Sequence, residues 1–351
     1  MQILIVKLGS IGDIVHTLPA AAAIRRHLPS AEISWVVEKR AAEILRGNPI
    51  IDRLIEIDTK GLRVKGGVDE MLRELREQVG ELRKSRFDLA IDFQGLLKSA
   101  LVAKVSGARR RWGFAGRALR EPPSRILLTD SVKIPRTTHI VNKNLLLASA
   151  ALGFEPDSTP PEFPIALNQA DEAEADAIVQ GIGPRFAILN PAGGWWTKLW
   201  DAENYGRLAD RLWDEMRLPS VIVYGPGQEG LAQKAAAGSK SGKAVVAQPS
   251  LKGLYSLAKN ASVYVGGDTG PTHIAIAAGA PIVGIFGPTE WWRNGSPRAA
   301  DICVERVDID CREDCHRRSC NKWICMDIEV SNVLQAVGRR LKVGQVFLPI
   351  A

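Results

Sequence analysis

Apolar residues along this chain fall into short runs separated by stretches of helical spacing. Residues 2 to 8, Ile33–Val37, Ile50–Ile57, Asp88–Asp92, Phe186–Asn190, Ser220–Tyr224, Ala261–Val265 and Ile282–Gly287 are rich in Val, Ile and Leu and bounded by turn residues, which predicts buried strands. Between them lie predicted helices: one from Gly12 to about Leu28, others over 41–46, 68–85, 171–181 and 204–216, and one opening after Phe93-Gln-Gly. A last helix over 331–341 carries Val333, Leu334, Val337 and Leu341 on one face. Strands alternating with helices predict an α/β fold with doubly wound parallel sheets. The pattern restarts after the proline-rich stretch Pro156–Pro164, so two domains are expected, over 1–164 and 165–326, with 327–351 as a terminal helix and tail. Such units bind ligands at the carboxyl ends of their strands, which places a cleft between the two.

At 351 residues the chain has room for two cores, and its 46% hydrophobic and 24% charged residues are those of a globular protein. No run of about eighteen apolar residues occurs, and the first residues do not read as a secretory signal, so a cytoplasmic location is expected. The net charge of +7 is one-sided. Up to Pro164 there are 26 Lys and Arg against 19 Asp and Glu, and beyond it 20 against 20. The excess concentrates between Lys98 and Arg136, which suits an anionic partner such as a nucleic acid or a lipid surface.

Three stretches carry candidate chemistry. Gly266-Gly-Asp-Thr-Gly-Pro-Thr-His273 follows a strand and opens a helix of small residues, a turn that aims free N–H groups and a helix dipole at an anion. An ordinary βα turn has no need of Asp268, Thr269, Thr272 and His273 together. Asp13 sits at a helix entrance above the first strand, where it can act as a cap or as a general base; position alone does not separate the two. Cys311, Cys315, Cys320 and Cys325 fall within fifteen residues. Their spacings are not those of paired C-x-x-C knuckles, so reduced structural cysteines are expected, with a thiolate zinc or iron site as the alternative.

Taken together, Lys7-Leu-Gly-Ser-Ile-Gly-Asp13-Ile-Val-His-Thr-Leu-Pro19, Asp92-Phe-Gln-Gly-Leu-Leu-Lys98-Ser-Ala, Trp196-Thr-Lys198-Leu-Trp200, Gly267–His273 and Phe286-Gly-Pro-Thr289 resemble, in order, the bacterial ADP-heptose:lipopolysaccharide heptosyltransferases. The resemblance implies a GT-B fold, two Rossmann-like domains facing a central cleft, with the final helix packing back on the first. It implies an inverting transfer of L-glycero-D-manno-heptose from ADP-heptose to the lipopolysaccharide inner core, with no cofactor required. It makes Asp13 the general base and Lys198 the contact to the donor diphosphate. Asp268, Thr269 and Gly270 would hold phosphate and sugar, with Thr197, Thr272 and His273 beside them and Glu229 on the ribose. Ser10, Gly12, Lys60, Arg63, Lys98 and Arg120 would bind the acceptor. Val-Val-Glu38 and Gln94–Ala100 favour the members that add the first heptose to Kdo-lipid A, although the cysteine cluster departs from them. An already heptosylated core and a protein are the alternative acceptors.

The chemistry agrees with that reading. No metal-binding D-x-D motif is evident, so a leaving diphosphate needs cationic side chains and N–H dipoles. A basic first domain suits Kdo carboxylates, lipid A phosphates and peripheral docking on the cytoplasmic face of the inner membrane. Two other classes compete. A nicotinamide-dependent oxidoreductase is disfavoured because neither glycine cluster has dinucleotide spacing, and a nucleic-acid-binding protein would use the basic run from Lys98 to Arg136.

Overall fold

The computed structural model describes residues 1–58, 80, 82–156, 159–311 and 315–345. They form two compact units, Met1–Ala166 and Leu167–Ala351.

The first unit has six parallel strands, β1 (Gln2–Val6), β2 (Glu32–Glu38), β3 (Arg53–Ile57), β4 (Leu89–Asp92), β5 (Arg110–Phe114) and β6 (Asp130–Val132), in the order β3-β2-β1-β4-β5-β6. Helices α1 (Ile11–Val15), α2 (Leu18–His27), α3 (Leu97–Val105) and α4 (Ile140–Leu152) connect and flank them. Ile3 to Val6 are wholly buried, as expected of a central strand covered on both faces. The single helix predicted up to Leu28 is two. Pro19 has no N–H to continue the ladder, and the break is filled by side chains: Thr17 Oγ1 donates to Asp13 O (2.8 Å) and Asn144 Nδ2 to His16 O (2.9 Å). The helix expected over 41–46 is a 3-10 segment, Lys39–Leu45. Strand β5 lies hidden within the basic run, because Arg110 and Arg111 mask the strand pattern; its buried half is Gly113 and Phe114.

The second unit repeats the plan. Its strands β7 (Ala187–Asn190), β8 (Ser220–Val223), β9 (Ala244–Ala247), β10 (Val263–Gly267), β11 (Ile282–Ile285) and β12 (Ile302–Val304) are parallel in the order β12-β11-β10-β7-β8-β9. Numbered within the unit, that is the connectivity of the first sheet. The helices are α5 (Gln169–Val179), α6 (Ala202–Met216), α7 (Glu229–Ala237), α8 (Leu251–Asn260), α9 (Gly270–Ala277), α10 (Trp291–Asn294) and α11 (Val330–Gln345).

The final helix contributes to the core of the second unit. The buried Val333, Leu334, Ala336 and Val337 of α11 belong to the second unit's core, with Leu212 of α6 and Val283 and Ile285 of β11. A buried ion pair fixes the contact. Arg340 Nε donates to Asp301 Oδ1 (2.8 Å), and the same carboxylate accepts from Ile282 N (3.0 Å) and Arg298 Nε (2.9 Å).

Candidate active site

In each sheet the strand order reverses at one place, between β1 and β4 and between β7 and β10. Connections leave such neighbours toward opposite faces of the sheet, which opens a crevice at their carboxyl ends. Both groups of candidate residues stand there.

In the first unit, β1 runs into Lys7 and the turn to α1, and β4 ends on Asp92. Ser10 is the cap of α1 and Asp13 stands at the third helical position, so Asp13 is not itself the cap. Its carboxylate accepts from Ser10 N (3.2 Å) and from both arms of Arg120, Nη2 to Oδ1 at 2.9 Å and Nη1 to Oδ2 at 3.2 Å. Lys7 Nζ lies 3.8 Å from Oδ1. Burial alone would raise the pKa of Asp13, but Lys7 and the Arg120 fork outweigh it and hold the carboxyl well below the usual carboxylate range. Lys7 is 1% exposed and donates to Phe93 O (2.8 Å); burial pushes its ammonium down to about 8 against the pull of Asp13. Asp92 is fully buried. It accepts from Gln94 N (2.8 Å), Gly95 N (3.2 Å) and Ser99 Oγ (2.9 Å), yet burial still pushes it up to about 6. Gln94 Oε1 in turn accepts from Leu8 N (3.2 Å), tying the two strand ends together.

Among the acceptor candidates, Arg120 joins Asp13, with its side chain 48% exposed, and Ser10 and Gly12 shape the turn that carries Asp13. Lys98 instead pairs with the buried Glu38. Lys60 and Arg63 lie outside the described residues.

In the second unit, β7 ends on Asn190 and the chain returns through the turn Trp196–Lys198, while β10 leads through Asp268 into α9. Lys198 Nζ donates to Asp268 Oδ2 (2.6 Å) and Asp268 O (3.1 Å) and sits 3.9 Å from the centre of the Trp195 ring. His273 Nε2 meets Asp268 Oδ1 at 3.2 Å. Burial would raise the Asp268 pKa, but the His273 bond and the Lys198 charge hold it far below the usual range. Thr269 caps α9, and its Oγ1 accepts from Asn190 Nδ2 (3.1 Å). The buried Thr272 hydroxyl donates to Gly267 O (2.5 Å), so it braces the turn, as Tyr264 does through Asn190 (2.9 Å). Thr197 is likewise committed, its Oγ1 to Arg317 O (2.6 Å). Glu229 is exposed at the start of α7, after β8, and its Oε1 accepts from Gly227 N (3.3 Å). Gly270 is half-exposed at the entrance of α9.

Several participants were not singled out in the sequence: Lys7, Asp92, Asn190, Tyr264 and Trp195. A signal existed for three of them, because Lys7, Asp92 and Asn190 are polar residues ending strands that are otherwise apolar. Among the described residues no group of three or more His, Cys, Asp or Glu side chains is arranged to hold a metal ion.

A family model described as glycosyltransferase family 9 (heptosyltransferase) matches residues 75–324. The chain belongs to glycosyltransferase family 9, the heptosyltransferases. This heptosyltransferase is 30% identical over 294 residues to lipopolysaccharide heptosyltransferase 1 of Pseudomonas aeruginosa, covering 82% of this chain and 79% of that protein. Its likeness to the Escherichia coli protein of the same name is 28%, over 83% of this chain and 89% of that one. Among solved structures, the family 9 chain resembles E. coli heptosyltransferase WaaC with ADP, with a TM-score of 0.73, 25% identity and coverage of 86% and 92%. It also resembles a family 9 glycosyltransferase from Veillonella parvula, with a TM-score of 0.82, 21% identity and 97% of each chain covered. The two parallel six-stranded units of this heptosyltransferase are those of the GT-B class.

Proposed function

We propose that this heptosyltransferase moves L-glycero-D-manno-heptose from ADP-heptose to the Kdo-lipid A inner core of lipopolysaccharide, with inversion at the transferred carbon. The observation that carries this reading is that each unit offers one half of the required chemistry at its switch point. In the second unit, Lys198 and the first turn of α9 supply positive charge for a leaving diphosphate. In the first, Asp13 is a carboxylate that accepts from Ser10 N and the Arg120 fork and lies beside Lys7. As the acceptor hydroxyl attacks, its proton passes to Asp13, the bond from the sugar to the diphosphate breaks, and ADP leaves with the electron pair. One carboxylate acting on one face of the sugar is the arrangement for inversion.

A carboxylate held this low is a weak base while Arg120 grips it. An anionic acceptor competes for that guanidinium, and a Kdo carboxylate or lipid A phosphate drawing Arg120 away would return basicity to Asp13 only when substrate is present. Names of the relatives support the lipopolysaccharide core as acceptor. Docking on the cytoplasmic face of the inner membrane rests on the basic first unit; no described helix is long and apolar enough to cross a membrane.

The test is incubation of the protein with ADP-heptose and, separately, Kdo-lipid A, a heptosylated core and a protein acceptor. ADP should appear with Kdo-lipid A, and NMR of the product should show the anomeric configuration opposite to the donor's. Consumption of another acceptor alone would overturn the acceptor assignment, and retention would overturn the single-carboxylate mechanism.

A further inference from the structure

The four clustered cysteines take no part in the transfer chemistry, yet the fold gathers them. Cys311, Cys315, Cys320 and Cys325 all line one small apolar cavity, closed by Gly287 and Trp323, and all four are free thiols. Gly287 leaves the room that sulfur occupies: a Cβ there would lie 2.3 Å from Met326 Sδ and 3.1 Å from Cys325 Sγ. Cys320 Sγ accepts Trp323 N–H at 3.3 Å. Four soft sulfur donors lining one apolar cavity are the donor set that zinc and iron take.

The surroundings show what such a cation would hold. The segment from Cys311 to Cys325 has little regular structure of its own, a single 3-10 turn at Ile324–Met326 among its described residues. It grips the loop that carries Lys198: Thr197 Oγ1 donates to Arg317 O (2.6 Å), Trp323 Nε1 donates to Thr197 O (3.0 Å), and Trp196 and Trp323 pack edge to face. A short irregular segment that fixes a functional loop needs a staple, and soft thiolates select zinc or iron over hard cations.

We propose that Cys311, Cys315, Cys320 and Cys325 form a structural tetrathiolate site for a soft metal ion, zinc or iron, which fastens this segment against the Thr197–Lys198 loop. The four sulfurs do not yet surround one point at bonding distance. Binding the ion therefore requires their side chains to turn inward. On binding a divalent ion each thiol releases its proton to solvent as its sulfur bonds the metal, and no electrons change hands. The ion stays outside the transfer chemistry.

The test is the metal content of the full-length protein, purified under reducing conditions and dialysed against a weak chelator, with its absorption spectrum and thiol count. About one zinc or one iron per chain is expected; the spectrum separates colourless zinc from thiolate-bound iron. Cys315→Ser and Cys320→Ser should each lose the metal, whereas Cys303→Ser, outside the cavity, should keep it. If the serine variants do not fold, the wild type still decides: the metal should leave under a strong chelator with exposure of four reactive thiols. A chain without stoichiometric metal that also fails to take up added zinc or ferrous ion, or metal retained unchanged in both serine variants, would overturn the proposal. Weakened ADP binding in the stripped protein is a second expected result, which rests on the donor reading; metal content does not, so the two fail separately.

Discussion

At the scale of single residues, the first unit's site turns on how the buried Lys7 and the mostly buried Asp13 share their charge with the half-exposed Arg120. Asp13 carries a depressed pKa, so the stability from its pairs with Lys7 and Arg120 is present in full above its unfolded value of about 4 and is lost only as pH falls below that, through the folded value. It stays ionised throughout the neutral range. Replacing it by Asn keeps the shape and removes the base, so Asp13→Asn should lower kcat by a factor on the order of a hundred or more. ADP affinity, measured by calorimetry, should not move; a normal kcat would reduce Asp13 to a helix-end residue. Lys7 behaves oppositely, since burial lowers its pKa from 10.5 to about 8. Between those values the native state releases a proton that the unfolded chain keeps, so this group's contribution to stability rises with pH across that window. Activity should run the other way, because a neutral Lys7 no longer fixes the Asp13 carboxylate in place, a loss of position that outweighs the basicity Asp13 regains. An alkaline limb near 8 is expected in the kcat/KM profile, and Lys7→Arg should move it upward; an unshifted limb would assign it to another group. In the second unit, Lys198→Ala removes the cation from the buried Asp268, whose remaining side-chain partners are His273 and Asn294. ADP binding should weaken at least about tenfold, the equivalent of about 1.4 kcal/mol, with acceptor affinity unchanged. Loss of acceptor affinity instead would mean that the roles of the two units are reversed.

At the scale of elements, the strands were legible where apolar runs are bounded by turns, as in β1, β7, β8 and β11, because burial on both faces leaves no polar side to blur the run. Strands β5 and β9 escaped because their exposed positions carry charge or sit at a half-covered edge, β9 having its two valines exposed. The loop Gly267–His273 was legible as a strand-to-helix turn, yet its internal division was not. That Thr272 braces the turn and Asp268 pairs with Lys198 depends on contacts across 5 and 70 residues of sequence. The pairing of Arg120 with Asp13, 107 residues apart, was equally beyond local pattern. Close packing of elements was also hidden: Gly206 of α6 lies where an added Cβ would meet Ala235 O of α7 at 2.2 Å and Gly238 C at 2.5 Å. Gly206→Ala should therefore cost about 1–3 kcal/mol through forced separation of the two helices, read as a lower melting temperature. An unchanged melting temperature would show that α6 and α7 part without cost.

At the scale of the molecule, the net charge of +7 resides in the residues up to Pro164, while the second unit is balanced. An acceptor bearing carboxylates and phosphates should feel that asymmetry, and ADP-heptose should not. Replacing Arg63 and Arg120 together with Ala should raise the acceptor KM at least about tenfold, with added salt reproducing part of the loss in the wild type and the donor KM unchanged. A salt-insensitive acceptor KM would leave the basic half as a solvated surface. The central claim joins the two units in one reaction, and mass spectrometry of Kdo-lipid A after incubation with ADP-heptose and the purified protein tests it most directly. One heptosyl residue should be added for each ADP released, with the product lost in Asp13→Asn. Kdo-lipid A of unchanged mass, or product formed at the wild-type rate by Asp13→Asn, would contradict it.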